Sequence, residues 1–135
     1  MLKVSCAIII QDGKILIVQN NSDSDHPFQW EFPGGKINFE ESSEECIKRE
    51  IWEELEVKVK IYEKLFSVEF DYGFKQIELI PFLCSIKKGE IKLNEHNELK
   101  WIDIEELDEI DFSGADKKLI QQKQNLIILK KYIGE

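Results

Sequence analysis

Acidic side chains are concentrated in one short segment of the chain, residues 49–54. If this segment is helical, at about 100° per residue, Glu50, Glu53 and Glu54 lie within an arc of about 100° on one face. Carboxylates this close repel one another and weaken a helix. They also form the oxygen-rich kind of site that Mg²⁺ or Mn²⁺ prefers, with substrate phosphates completing the coordination shell. By itself, the pattern fits a solvated helix face equally well.

The net charge of −9 over 135 residues limits what such a site can bind. A nucleic-acid-binding surface needs a basic face, so the acidity argues against a nucleic acid polymer as partner. A small phosphate compound would also be repelled, unless cations held by the carboxylates bridge to it. The apolar runs are much shorter than the roughly 20 residues of a membrane span, and the N-terminal run is too short for a secretory signal. We therefore expect a cytoplasmic protein with no membrane partner.

The cysteines and histidines do not suggest a second kind of metal site. Cys6, Cys46 and Cys84 are odd in number and form no CxxC pair, so buried thiols are the simpler interpretation. His26 and His96 are isolated in the sequence, and we expect no histidine-based metal site.

The hydrophobic pattern predicts a β-hairpin ahead of the acidic segment. Residues 4–10 and 14–18 are β-branched apolar runs that meet at an Asp-Gly pair, a strong hairpin signal. The polar stretch 19–29 is long enough to be a functional loop. The Pro-Gly-Gly sequence at 33–35 predicts a turn.

The acidic segment itself is predicted to be a helix. Ser42 and Glu45 have the spacing of a capping box, which places the helix start. Apolar residues recur every four positions up to Leu55, where we expect the helix to end. Pro81 predicts an edge strand or a bulge in the later sheet, and a polar stretch at 121–125 marks a possible helix break. The remaining elements are expected to be strands at 57–70, 74–86 and 99–104, a helical turn at 104–107 and a helix at 113–132.

The spacing around the acidic segment is specific. Gly35, five residues, Glu41, seven residues and then Arg49-Glu50 begin a pattern that resembles the Nudix box, G-x5-E-x7-R-E-U-x-E-E-x-G-U, where U is a bulky aliphatic residue. Every specified position matches except one, because Glu56 replaces the last glycine. Residues 30–37 also resemble the entry segment of the MutT-type Nudix enzymes, which hydrolyse 8-oxo-dGTP and related nucleoside triphosphates.

The resemblance implies a fold and an organisation. We expect an α+β protein with the α/β/α sandwich of the Nudix fold, in which a mixed β-sheet is flanked by the Nudix-box helix and a C-terminal helix. One domain would span residues 1–135. Homodimers are frequent in the family, so a monomer or a homodimer is expected.

The resemblance also implies roles for the acidic residues. Arg49 would orient the glutamates through charge-assisted hydrogen bonds. The general base would be Glu50 or Glu53, or Glu95 from a later loop. Glu95 could instead be a metal ligand, and it is equally well interpreted as a surface residue. The metal is expected to be Mg²⁺, with Mn²⁺ as an alternative, and its implied ligands are Glu50, Glu53, Glu54 and the Gly34 carbonyl, supported by Glu41.

Substrate contacts are implied at several further positions. Asp116 falls where related enzymes place an Asn or Asp that bonds the base; alternatively it is a helix N-terminal residue favoured by the dipole. Gln19 stands where an Arg is found in the best-known 8-oxo-dGTP enzyme, which weakens that substrate assignment. The implied substrate-binding residues are Glu31, Phe32, Gly35, Lys36, Lys75 and Asp116.

The function implied is Mg²⁺-dependent hydrolysis of a nucleoside triphosphate, such as 8-oxo-dGTP, to the monophosphate and pyrophosphate. One alternative is a Nudix hydrolase of ADP-ribose or another nucleoside diphosphate derivative. A second is a non-catalytic nucleotide-binding module, but all four box glutamates are present and favour an enzyme. Glu56 is not at a ligand position; in the left-handed conformation of the box glycine it would cost about 1 kcal/mol.

Overall fold

The computed structural model describes residues 1–134, so the last residue of the expected domain, Glu135, lies outside the described residues. These residues form eight strands, three α-helices and one 3₁₀ helix. In chain order they are β1 (Leu2–Gln11), β2 (Lys14–Gln19), β3 (Trp30–Glu31), β4 (Gly34–Lys36), α1 (Ser43–Leu55), β5 (Lys58–Lys64), β6 (Val68–Asp71), β7 (Gln76–Lys88), β8 (Glu98–Ile102), the 3₁₀ helix (Ile104–Glu109), α2 (Gly114–Gln121) and α3 (Lys123–Ile133).

The strands form a mixed sheet with β1 and β7 at its centre. These two strands are parallel over the register from Leu2 opposite Ile77 to Ile9 opposite Cys84. The other strand pairs are antiparallel, and the path through the sheet is β3-β2-β1-β7-β5, with β4, β6 and β8 pairing to the side.

Each face of the sheet has its own hydrophobic core. Side chains of β1 alternate, so Cys6 and Ile8 enter one core while Ala7 and Ile9 enter the other. Helix α1 packs on the second of these, and α2, α3 and the 3₁₀ helix pack on the first. The expected α/β/α sandwich is therefore confirmed.

Helix α1 begins and ends close to where the sequence predicts. Ser42 Oγ accepts from the Glu45 backbone N–H at 3.0 Å, and the Glu45 carboxylate accepts from the Ser42 N–H at 2.9 Å, which completes the capping box. The helix ends at Leu55, which is fully buried. Glu56 follows as C-cap in the left-handed conformation (φ 56°, ψ 32°). The glutamate thus keeps the backbone geometry for which glycine is favoured.

The prediction of a turn at 33–35 is wrong for the two glycines, which belong to a strand. Gly34 and Gly35 begin β4, which pairs with β1, and neither glycine has a positive φ. A Cβ atom on Gly34 would overlap the carbonyl oxygen of Ser5 and the Cα of Cys6. Glycine is required here because β4 lies close against β1.

The long strand predicted at 57–70 is interrupted, and the helix predicted at 113–132 is broken within the polar stretch 121–125, where a break was expected. Residues 65–67 separate β5 from β6, and Gln122 separates α2 from α3. Asn125 is fully buried and connects both interruptions. Its side-chain oxygen accepts from the Phe66 N–H at 2.8 Å, and its Nδ2 donates to the carbonyls of Phe66 at 2.9 Å and Leu119 at 3.2 Å. One buried amide therefore satisfies the backbone where both elements stop.

Pro81 does not mark an edge strand, because β7 has partners on both sides. One side of β7 pairs with β1, and the other pairs first with β6 and then with β5. Pro81 lies at this change of partner, where its carbonyl accepts from the Leu65 N–H at 2.9 Å. A residue without an N–H is tolerated in this central strand because, on the side away from β1, neither β5 nor β6 pairs with it.

None of the helices in residues 1–134 has both the length and the apolar character needed to cross a bilayer.

Replacing Asn125 by Ala should destabilise the protein by about 3 kcal/mol, because the backbone groups of Phe66 and Leu119 lose their buried partner. Urea denaturation followed by circular dichroism would measure the change. Asn97→Ala is a suitable control, since Asn97 is exposed and its side chain bonds only the Gln19 side chain within the described residues. Equal stabilities of the two variants would contradict this role for Asn125.

Candidate functional site

Arg49 lies at the centre of a group of three glutamates. Its guanidinium binds Glu41 at both oxygens, with Nε to Oε2 at 2.7 Å and Nη2 to Oε1 at 3.0 Å. Nη1 donates to Glu50 at 2.8 Å and to Glu53 at 3.0 Å. Nη2 also donates to the Lys36 carbonyl at 3.2 Å, which ties α1 to β4. The repulsion expected between these carboxylates is thus offset by one cation with several donors.

The contacts of Arg49 change the ionisation of Glu41. Hydrogen bonds from Arg49 and from the Asn38 N–H lower the pKa of Glu41 to about 2. In turn, the carboxylates of Glu41 and Glu50 raise the pKa of Arg49 above its ordinary value. Both groups are therefore charged at neutral pH.

Gly35 makes room for the carboxylate of Glu50. A Cβ on Gly35 would overlap the Glu50 carboxyl group, whose side chain is largely buried. This close approach gives a structural reason for glycine at the first position of the box.

Glu54 makes no hydrogen bond to Arg49 and instead lines a cavity next to the cluster. Its side chain is only 2% exposed, and Oε1 has no hydrogen-bond partner among residues 1–134. Burial first, and then the nearby carboxylates of Glu50 and Glu31, raise the pKa of Glu54 well above its ordinary value. A buried carboxylate oxygen without a donor is a site that a bound cation would stabilise.

His96, which is isolated in the sequence, joins Glu54 at this cavity in the structure. Its Nε2 lies 3.2 Å from Glu31 Oε2, and its Nδ1 lies 3.8 Å from Glu54 Oε1. No sequence pattern predicts this contact, because Glu31 and His96 are 65 positions apart.

A cavity of about 340 Å³ opens onto Glu54 and Glu95. Glu95, the glutamate expected from a later loop, lies on its wall and is exposed. The full lining consists of Asn20, Asn21, Asp23, Ser24, Glu31, Gly34, Glu54, Glu95 and His96.

A neighbouring cavity of about 240 Å³ shares Glu31 and Gly34 with the first. All six residues expected to bind substrate line it, namely Glu31, Phe32, Gly35, Lys36, Lys75 and Asp116. Apolar side chains from β1 and β7 form another part of its wall: Leu2, Val4, Ile77 and Leu79. A mostly apolar cavity with a few polar groups is typical of a small-molecule site.

Asp116 is buried at the start of α2. Its Oδ2 accepts from the Phe32 N–H and its Oδ1 from the Ser113 hydroxyl, both at 2.9 Å. Burial, and then the charge of Glu31, raise the pKa of Asp116 to about 7. The residue thus connects the helix to the strand segment that carries Phe32, and it also faces the cavity.

The long polar loop lies against the hairpin between β6 and β7. Asp25 pairs with the Lys75 ammonium at 3.3 Å, and the rings of His26 and Tyr72 are 4.4 Å apart. The Tyr72 hydroxyl accepts from the Ala115 N–H at 2.8 Å, which ties the hairpin to α2. His26 and Tyr72 both line the smaller cavity, and neither was predicted from the sequence to be a site residue.

The side chains expected to bind metal do not converge in this arrangement. In the described part of the chain, no three His, Cys, Asp or Glu side chains are placed to hold a metal ion together. Arg49 holds Glu41, Glu50 and Glu53, whereas Glu54 lies towards the cavity. A metal bound by Glu50, Glu53 and Glu54 would require a rearrangement of these side chains, because Arg49 binds two of them.

Comparison with known proteins gives matches over most of the chain. A model of the NUDIX domain matches residues 1–123. The chain is 33% identical over 121 residues to the CTP pyrophosphohydrolase of Escherichia coli K12, covering 90% of each protein. It is 32% identical over 123 residues to the 8-oxo-dGTP diphosphatase of Buchnera aphidicola (subspecies Schizaphis graminum), covering 91% of this chain and 93% of that protein. The solution structure of the Escherichia coli ORF135 protein superposes with a TM-score of 0.80 at 30% identity, covering 98% of this chain and 92% of that one.

Replacing Arg49 by Ala should return the pKa of Glu41 towards its ordinary value, because the guanidinium that stabilises the charged form is gone. In the native protein the lowered pKa of Glu41 stabilises the folded state at every pH above the pKa that Glu41 has in the unfolded chain. This contribution to the free energy of unfolding is lost as the pH falls towards 2. Carboxyl ¹³C NMR titration would measure the pKa, with Lys14→Ala as a control that removes a surface pair to Asp103. An unchanged Glu41 pKa in Arg49→Ala would contradict the assignment.

Proposed function

The chain belongs to the NUDIX domain family as a hydrolase of the MutT type, and from this membership we propose that it hydrolyses a nucleoside triphosphate to the monophosphate and pyrophosphate. The observation that carries the proposal is the pair of adjacent cavities. One is walled by apolar and hydrogen-bonding groups suited to a nucleoside, and the other by carboxylates. Because they share Glu31 and Gly34, a single nucleotide can occupy both.

Relatives of the chain support a triphosphate as substrate. One is a CTP pyrophosphohydrolase and another an 8-oxo-dGTP diphosphatase, and both of these compounds are nucleoside triphosphates. The chain covers at least 90% of each relative, so the support extends over nearly the whole protein.

We propose that a divalent cation, Mg²⁺ or alternatively Mn²⁺, is held by Glu50, Glu53 and Glu54, with the Gly34 carbonyl and support from Glu41. The unpartnered buried oxygen of Glu54 fits this assignment, as does the carboxylate chemistry of the set. When bound, the cation supplies neutralisation of the phosphate charge and a lower pKa for an attacking water.

The protein's own residues bind and orient the reactants. Arg49 holds Glu50 and Glu53 next to each other on one helix face, from which they would turn towards Glu54 when the cation binds. The proton of the attacking water would pass to Glu50, Glu53 or Glu95. Glu95 is suited to this role because it is exposed on the wall of the carboxylate cavity.

The smaller cavity supports a base that carries an amino group. Each oxygen of Asp116 accepts one internal hydrogen bond, and a carboxylate oxygen has a second lone pair for another donor. The exocyclic amino groups of cytosine and guanine are such donors. Gln19 contributes nothing to this cavity, since its side chain bonds the Phe28 carbonyl and Asn97.

Purified protein with Mg²⁺ should convert CTP, dGTP or 8-oxo-dGTP to the monophosphate and pyrophosphate, as identified by anion-exchange chromatography. Glu53→Gln and Glu54→Gln should lower kcat about 100-fold or more, because each removes a proposed ligand charge. Glu105→Gln, an exposed change on the 3₁₀ helix, is the control. A panel that also contains ADP-ribose and dinucleotides would reveal the alternative substrates. Absence of hydrolysis across the panel, or full activity of both variants, would overturn the proposal.

Asp116→Asn should lower kcat/KM about tenfold for triphosphates whose base carries an amino group, because the amide nitrogen cannot accept a hydrogen bond. UTP, which lacks the amino group, should be affected less. The ratio of kcat/KM for CTP and UTP in the native protein and the variant would measure this. Equal losses for both nucleotides would contradict direct recognition of the base by Asp116.

A further inference from the structure

The C-terminal end of α1 is bound by the segment that follows β7. The Lys92 N–H donates to the Leu55 carbonyl at 2.9 Å, and the Asn94 N–H donates to the Glu54 carbonyl at 3.0 Å. The Asn94 side chain continues this pattern, because its Nδ2 donates to the Glu53 carbonyl at 3.0 Å. A helix leaves its last carbonyls without internal partners, and here three successive ones are satisfied by two residues of one loop.

Glu56 adds a contact that the glycine of the Nudix box could not make. Asn94 Nδ2 carries two hydrogens, and the second is donated to Glu56 Oε2, also at 3.0 Å. The single departure from the box therefore places a side-chain acceptor beside Asn94. We name the hydrogen bonds of Asn94 to Glu53, Glu54 and Glu56 the Asn94 clamp.

The residues directly after the clamp line the carboxylate cavity. Glu95 lines this cavity together with Glu54, and the Glu95 carbonyl accepts from Asn21 Nδ2 at 2.8 Å. His96 follows, 3.2 Å from Glu31. The carboxylates of Glu54, Glu31 and Glu95 repel one another, which favours displacement of the loop away from α1. The Asn94 clamp opposes this displacement because it is made to the same helix turn that carries Glu53 and Glu54.

We propose that Asn94, anchored by Glu56, is a positioning residue for the reaction: it fixes Glu95 relative to the glutamates of α1. The inference rests on the proposed function. Asn94 acts through Glu95, and both hydrogens of its side-chain nitrogen are donated, to the Glu53 carbonyl and to Glu56. The order of the loop and the rate of hydrolysis should therefore change together when the clamp is removed.

Asn94→Ala removes both side-chain hydrogen bonds and should lower kcat about tenfold, as is typical when a group that orients an active-site residue is lost. KM should change little, because the proposed nucleoside cavity is lined by β1, β4, β7 and α2 rather than by this loop. Hydrogen exchange at the Asn94 and Glu95 amides should become faster. Tyr132→Phe is the matched control, since it removes one exposed side-chain hydrogen bond, to Glu63, from elements that carry none of the proposed site residues.

A second pair of variants separates the clamp from general stability. Glu56→Ala and Glu56→Gln both keep a non-glycine residue in the left-handed C-cap, but only Gln keeps an oxygen that accepts from Asn94. Glu56→Gln should therefore lower kcat less than Glu56→Ala. In a double-mutant cycle, the combined loss for Asn94→Ala and Glu56→Ala should be smaller than the product of the single losses. The Glu56 pair also tests the clamp if Asn94→Ala fails to fold, because the backbone bonds of the loop remain.

The outcomes distinguish this inference from the proposed function. If the native protein hydrolyses triphosphates but Asn94→Ala keeps its kcat, or loses affinity alone, the positioning role is overturned and the proposed function stands. If Glu56→Gln and Glu56→Ala are equally impaired, the anchoring role of Glu56 is overturned. If the native protein hydrolyses no nucleotide, both proposals are overturned.

Discussion

The site depends on one constraint, the repulsion between carboxylates that are gathered on one helix. Arg49 offsets this repulsion for Glu41, Glu50 and Glu53 by donating to all three. Glu54 has no such partner within the described residues and is buried instead, which raises its pKa. The helix thus has an ion-paired cluster on one side and, on the other, a buried acid whose Oε1 has no hydrogen-bond donor among the described residues. In the proposed function, a bound cation would stabilise the charged form of this acid.

The surrounding architecture keeps this helix fixed against a strand. Ile47, Ile51 and Leu55 are fully buried against the sheet, so the opposite face of α1 cannot rotate away from β4. At Gly35 the backbone lies against the Glu50 carboxylate, and at Gly34 it lies against β1. At the other end of the helix, the loop with Asn94 binds the last carbonyls. The glutamates are therefore placed by contacts at the start, the face and the end of one helix.

Much of this could be predicted from the sequence, because the determinants are local. The capping box of Ser42 and Glu45 and the end of the helix at Leu55 follow from side chains within a few positions of one another. The errors arose where distant residues decide the backbone. Asn125 ends a strand some 60 positions earlier, and Pro81 is accommodated in a central strand because β7 changes partner there. The residue pattern within a segment does not indicate which distant residue or strand will bind to its backbone.

The family follows from the spacing of residues between Gly35 and Val57, and the six residues expected to contact substrate line one cavity. Which groups share an environment, in contrast, depends on the three-dimensional fold. His96 lies between Glu31 and Glu54, and Tyr72 lies against His26, because sheet pairing and helix packing join segments far apart in the chain. Residue types and spacing are set along the chain, whereas burial and charge neighbours are set by the fold.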